Sequence, residues 1–395
     1  MLSLDPEINE EQTMEKFAKW NDPANLINPF APTTITPSVS QYLFGTILLL
    51  IRLPFLLVIT ILLFLITMLT TIPMGPITRL LRVLFEAPLA RLLLLCLGYW
   101  SINTTYIAAN KLRIRKSKNP TKTRPNPVGS CVQRGDVVVC TATSPIEILY
   151  LTWMFAPTFA HVLDTSAKNA VPQEQTASVE EKGLWGSLSI FSSMRIVPST
   201  RSTDTTAQPK TLKEVADQNQ GLSGSPICTF PEGVCSNGTG VLMFHPIFNN
   251  FTFEQHRIHL LTFQHATQKS SKFNATLPIG SALKSLLWHC MHWSHTMKIS
   301  MLPALELNAP PLIESEEVLK SKREAQVRRE VAARASAGKY GGGILPSIAM
   351  PDPGIMGNRC RDLLAKMYGI DTLTRCSKDY ETFLEFWRDE NKKKK

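Results

Sequence analysis

Between Tyr42 and Thr71 the chain runs 30 residues with a single charge, Arg52. About 20 apolar residues suffice to cross a bilayer's hydrocarbon core, so the run predicts a membrane helix with length to spare. Pro54, close behind Arg52, predicts a kink or a true span of roughly Phe55 to Ile72. A 40-residue polar stretch comes first, and the run is too long for a cleaved signal core. The next apolar stretch, Pro76 to Ala109, is broken by Arg79, Arg82, Glu86 and Arg91. It reads as an amphipathic helix in the interface or the return arm of a hairpin, with a second full span as the weaker reading.

From Arg134 onward short apolar runs alternate with helical patterns. Residues 135–142 (GDVVVCTA) predict a buried strand, and 144–155 a helix capped by Ser144 with Pro145 at its first position. Strands are predicted over 157–163, 225–230 and 272–280, a short helix over 210–221, and a polar loop over 165–182. Such alternation predicts an α/β sheet with helices on its faces. Further on, 314–334 predicts a charged, solvated helix, 338–357 a Gly- and Pro-rich loop, and 359–389 a last helical region before a lysine run.

Composition adds a direction. The net charge is +10 with 44% hydrophobic and 19% charged residues, which excludes a disordered chain and implies an acidic partner. Seven bases and no acids lie in Lys111–Arg124, beside the apolar block, while residues 1–40 hold six acids and two bases. That asymmetry favours an anionic membrane over nucleic acid and puts the region after Ala109 in the cytosol. The eight cysteines form no C-x-x-C pair and read as reduced residues of a cytosolic body. The spacing of His289, His292 and His295 reads as core or interfacial histidines between tryptophans, with no metal expected.

One tetrapeptide carries more specific information. Phe230-Pro231-Glu232-Gly233 follows a predicted strand, and its glycine lets backbone N–H groups approach a phosphate. With the blocks around it, over roughly Val128 to Leu307, it resembles the glycerophospholipid acyltransferase family, which includes the 1-acylglycerol-3-phosphate acyltransferases. Residues 14–35, the membrane block and the lysine-rich end look like those of a fungal member.

The resemblance implies a mixed sheet flanked by helices behind an N-terminal membrane-embedded segment. It implies substrate contacts at Phe230, Pro231, Glu232, Gly233 and Ser236, with Arg201 (or Arg195) holding phosphate and Pro278 closing the fourth block. Two departures stand out. Cys235 replaces an arginine, and Ala142 stands where the family's N-H-x-x-x-x-D block has its histidine, with Glu147 at the aspartate. The family's histidine takes the proton of the attacking hydroxyl; alanine cannot, so Glu147 becomes the candidate base, unless a histidine enters from elsewhere in the chain or positioning alone gives slow turnover.

The implied function is membrane-bound O-acyl transfer from acyl-CoA, as co-substrate, to lysophosphatidic acid or a related lysophospholipid. No cofactor, metal or nucleic-acid partner is expected beyond membrane lipids. The alternative is an inactive lipid-binding or scaffold protein of the same fold. Lys392–Lys395 looks like a dilysine retrieval signal, which implies the endoplasmic reticulum membrane, with lipid droplets a further location and the acyltransferase domain facing the cytosol. The organisation expected is a polar segment 1–40, a membrane segment 41–110, an acyltransferase-like domain 111–310 and a charged helical region 311–395.

Overall fold

The computed structural model describes residues 17–31, 39–70, 76–107, 132–164, 177–193, 197–198, 210–249, 251, 256–265, 276, 279, 282–304 and 353–393. The predicted helix 314–334 and most of the predicted strand 272–280 lie outside these.

Helix α1 (Val39–Thr70) holds the apolar run and continues through Pro54. One stripe faces inward: Leu48, Arg52, Leu63, Thr67 and Thr70 are buried, with Leu49, Leu56 and Ile59 packed beside them. Steps of three and four residues keep these on one helical face. The opposite face, including Phe55, Leu62 and Leu69, is exposed. Helix α2 (Pro76–Leu81), a π turn (Arg82–Glu86) and helix α3 (Ala87–Cys96) follow. Here the sequence reading ran too far: the apolar stretch extended to Ala109 gives way at Ile102 to a strand of the sheet.

The strands are β1 (Ile102–Tyr106), β2 (Val137–Cys140), β3 (Thr158–Asp164), β4 (Val179–Lys182), β5 (Val197–Pro198), β6 (Ile227–Thr229), β7 (Gly240–Val241), β8 (Ile258–His265), β9 (Met297–Leu302) and β10 (Asp371–Thr372). Seven make a mixed sheet in the order β1-β9-β8-β2-β6-β3-β4, with β5 beside β3; β7 and β10 pair separately. The central four, β8, β2, β6 and β3, run parallel. Strand β2 is buried on both faces, as expected of a central parallel strand: Val138 and Cys140 enter one apolar cluster, Val137 and Val139 the other. Helices α4 (Pro145–Phe155), α5 (Leu184–Ser193), α6 (Leu212–Gln218), α7 (Ala282–Cys290), α8 (Gly354–Tyr368) and α9 (Ser377–Lys393) complete the layers. The predicted Ser144 cap is present, accepting the Ile146 N–H at the start of α4, and the structure adds a capping box of Thr211 with Glu214 on α6.

Several contacts seat α1 on the body. Arg52 donates to the carbonyls of Cys290 (3.1 Å), His292 (2.7 Å) and Trp293 (2.9 Å). These lie at and just past the C-terminus of α7, where carbonyls lack helical partners and a cation is favoured. At Gly45 the helix touches the same turn so closely that a Cβ would stand 2.8 Å from the Met291 carbonyl oxygen. Farther along, Phe64 meets Trp185 of α5 edge-on at 5.8 Å. Nineteen residues separate Gly45 from Phe64, about 28 Å of helix, so the body runs alongside most of α1.

The two ends of the described chain close on each other. Phe17, Trp20 and Phe30 pack with Tyr380 and Phe383 of α9 and with Val234, Leu242 and Leu373 in a third apolar cluster. Asp22 accepts from the backbone and hydroxyl of Thr374, and buried Arg375 donates to the Lys19 and Asn21 carbonyls. Ala31 and Asn28 accept from Asn237. The chain is therefore anchored to the same body just before α1 and again at β1. Phe30→Ala, which empties the centre of this clasp, should destabilise the protein by about 3–5 kcal/mol. A lowered thermal midpoint in detergent checks this; an unchanged midpoint contradicts it.

Candidate active site

The carboxyl ends of parallel strands are where open α/β sheets gather their ligand sites. Here the ends of β2, β6 and β8 lie side by side, and each delivers one part of a constellation.

Strand β2 ends at Cys140 and turns through Thr141–Ser144 into α4. Glu147 lies in the first turn of α4, where a negative charge complements the helix dipole. It is fully buried and accepts from the Thr143 N–H (3.0 Å) and hydroxyl and from His265 Nε2 (3.3 Å). His265 ends β8, which passes its last pairing with β2, Cys140 beside Leu261, by four residues. Its other ring nitrogen, Nδ1, is buried with no hydrogen-bond partner among the described residues. Because carboxylate oxygens only accept, the proton of the imidazole sits on Nε2 and the lone pair on Nδ1.

After β6 the chain turns through Phe230–Gly233, closed by the Gly233 N–H on the Phe230 carbonyl (3.0 Å). Gly233 has φ of +71°, and a Cβ there would stand 2.9 Å from His245 Nε2, so glycine is required twice over. Glu232 is completely buried and ties two loops together. One carboxylate oxygen accepts the Leu242 N–H (2.9 Å), the other the Ala142 N–H (3.2 Å). The Ala142 carbonyl in turn accepts the Ser236 N–H at 2.9 Å. Where the resemblance implied a glycerol contact by this glutamate, its oxygens are taken by backbone amides. Burial pushes the Glu232 carboxyl up to about 7; the two N–H bonds and the Arg361 charge oppose that shift.

The neighbouring side chains are packed inward. Phe230 stacks near-parallel on Phe159 at 6.4 Å. Ser236 and Cys235 are buried, and burial pushes the Cys235 thiol well up. Arg361 of α8 donates to the Leu242 carbonyl (2.8 Å) and bonds Leu373, so it braces the loop after β7. Tyr368 of α8 reaches the site as well: a Cβ on Gly238 would meet its hydroxyl at 3.2 Å and the Thr143 methyl at 3.6 Å. Buried Tyr99 stacks on His295 at 5.0 Å and lies within the field of Glu147, and its hydroxyl has no hydrogen-bond partner among the described residues.

The structure thus brings Phe230, Pro231, Glu232, Gly233 and Ser236 together with Ala142 and Glu147. Arg195, Ser199, Arg201 and Pro278 lie outside the described residues. His289, His292 and His295 each bond a backbone carbonyl, and among the described residues no group of His, Cys, Asp and Glu is arranged to hold a metal. Two contributors had escaped the sequence reading, His265 and Tyr368. Only the strand pattern of IHLLTFQH, ending on a histidine, points to the first.

The chain is 29% identical over 240 residues to a Schizosaccharomyces pombe protein named "Putative lysophosphatidic acid:oleoyl-CoA acyltransferase". The chain is similar to an acyltransferase. The match covers 60% of this chain and 69% of the relative, and bears out the family resemblance read from the motifs. No family model and no solved structure matches.

Glu232 generates a prediction about stability. In Glu232→Gln one amide N–H must face another donor, leaving an unsatisfied pair, at a cost of about 1–3 kcal/mol. The pH dependence follows from the raised carboxyl. Between the ordinary value of 4.5 and about 7 the folded protein holds a proton that the unfolded chain has released. This contribution to stability is therefore full below about 4.5 and is lost as pH rises toward 7. Urea unfolding should show wild type losing stability relative to Glu232→Gln between pH 5 and 7.5. Parallel profiles would contradict it.

Proposed function

We propose that this protein is a membrane-surface acyltransferase that moves an acyl group from acyl-CoA to the free hydroxyl of lysophosphatidic acid or a related lysophospholipid. The observation that carries the reading is the Glu232 tie. It joins the Phe230–Gly233 turn to the Ala142–Glu147 loop at the carboxyl edge of one parallel sheet. The similarity to a protein named for this reaction supports the same reading.

In this reading the Phe230–Ser236 backbone faces the glycerophosphate, with Arg201 and Pro278 assigned as further substrate contacts by the resemblance alone. Glu232 acts by holding the loop in shape. Glu147, already engaged by Thr143 and His265, serves as a fixed carboxylate beside the attacking hydroxyl.

The fold supports a seat in the membrane surface. The chain is anchored to one body on both sides of the apolar region, at Asn28–Ala31 and at β1. A helix that carries the body along about 28 Å of its length would drag α5 and α7 through the hydrocarbon core if it stood upright. We therefore place α1 to α3 within one leaflet, exposed apolar faces outward and Trp100 and Trp293 at headgroup level. The basic run 111–124 favours the cytosolic face of the endoplasmic reticulum or of a lipid droplet.

Ala142 and Cys235, where the family has histidine and arginine, favour a second reading as an inactive lipid-binding remnant. One assay separates the two. Purified protein in phosphatidylcholine liposomes, given oleoyl-CoA and lysophosphatidic acid, should form phosphatidic acid detectable by mass spectrometry. Binding of the lysolipid with no product from several lysolipids would leave the remnant. Phe55, Leu62 and Leu69 each bury about 2 kcal/mol in lipid on this account. Replacing all three by serine should shift the protein from floating to pelleting with the aqueous fraction in liposome flotation. Continued flotation would contradict the seat.

A further inference from the structure

We propose that His265 is the general base of this site, entering from the end of β8 to fill the role for which position 142 has no side chain. The inference rests on the acyl-transfer reading above and adds the residue that removes the proton.

Three observations converge on it. First, β8 is the parallel neighbour of β2, and its four-residue overshoot brings His265 level with the start of α4. Second, His265 Nε2 lies 3.3 Å from Glu147 Oε1, the oxygen that also accepts the Thr143 hydroxyl, while the Thr143 N–H holds Oε2. The carboxylate therefore sets the tautomer and orientation of the ring. Third, Nδ1 is buried and unpartnered. Buried polar atoms are almost always satisfied, so an orphaned acceptor asks for a partner that the described protein does not supply. A substrate hydroxyl is such a partner.

The step balances without a further reagent. The lysolipid hydroxyl oxygen attacks the thioester carbonyl carbon and its proton passes to His265 Nδ1. The carbon–sulfur bond then breaks, and the leaving CoA sulfur takes that proton, regenerating the neutral ring. Glu147 keeps its hydrogen bond to Nε2 throughout and lies against the transient imidazolium. The other titratable groups around the pair are Tyr99, His289 and His295 from the α3 and α7 ends, Cys140 of β2, Glu232 and Cys235 of the turn and the chain after it, and Tyr368 of α8. None of them is hydrogen-bonded to Glu147.

The test uses His265→Gln, whose amide nitrogen can keep the bond to Glu147 while the Nδ1 lone pair is gone. Full-length protein in liposomes is assayed with oleoyl-CoA and lysophosphatidic acid, alongside Glu147→Gln and the double variant. Loss of general-base catalysis lowers kcat by about 10²–10⁴-fold. The expected result is a fall of that size in His265→Gln with both KM values within about threefold. Glu147→Gln should fall similarly, and the double variant no further than the worse single one, because the pair acts as a unit. Glu147→Asp should recover part of the loss. If His265→Gln does not fold, His265→Asn takes its place, with thermal unfolding confirming the fold of whichever is assayed. An active wild type beside a variant retaining a third or more of its kcat overturns the base. Additive losses in the double variant overturn the pair. A wild type inactive with every lysolipid tried overturns the acyl-transfer reading itself.

Discussion

A carboxylate with no solvent exposure, holding one backbone N–H on each oxygen, sets the geometry of this protein's centre. Glu232 joins the end of β2 to the chain after β7, and Ala142 answers from its carbonyl side by accepting Ser236. Neither loop carries enough secondary structure of its own to keep that shape. A buried carboxyl is costly unless its hydrogen bonds are complete, and it shows that cost in a proton affinity raised to about 7. Arg361 and the terminal clasp reinforce the arrangement from outside. Arg361 fixes the Leu242 carbonyl, and Leu242 belongs to the apolar cluster that Phe30 and Phe383 close.

Helix α1 and the candidate site are parts of one body. Arg52 holds the carbonyls at the end of α7, and that same turn carries His289 and His295 against Tyr99. Tyr99 lies in the field of Glu147, which His265 contacts. Packed groups thus lead from α1 to Tyr99, which feels the charge of the carboxylate at the sheet edge.

Much of this was legible in the sequence, for local reasons. VVVC predicts a buried strand, Ser144-Pro145 a helix start, and F-P-E-G a strand followed by a tight glycine turn; the structure places β2, α4 and the Phe230–Gly233 turn accordingly. The strand at Ile102 was not legible because its alternation begins directly after an apolar helix and merges with it. The single helical region expected at 359–389 divides into α8 and α9, with Gly369 in the left-handed conformation ending the first. His265 was hidden for a different reason: 118 positions separate it from Glu147, and only the pairing of β8 beside β2 brings them together. The clasp of residues 17–31 with α9 is equally non-local, since each segment alone is an amphipathic piece with no stated partner.

The most direct test of the central claim is hydrogen exchange at the amides of Ala142 and Leu242, read residue by residue in wild type and Glu232→Gln. If the carboxylate ties the two loops, both amides are strongly protected in wild type. In the variant both then speed up together, while amides paired between β1 and β9 stay unchanged. Acceleration of only one of the two, or of neither, would contradict the claim that this single side chain holds the site.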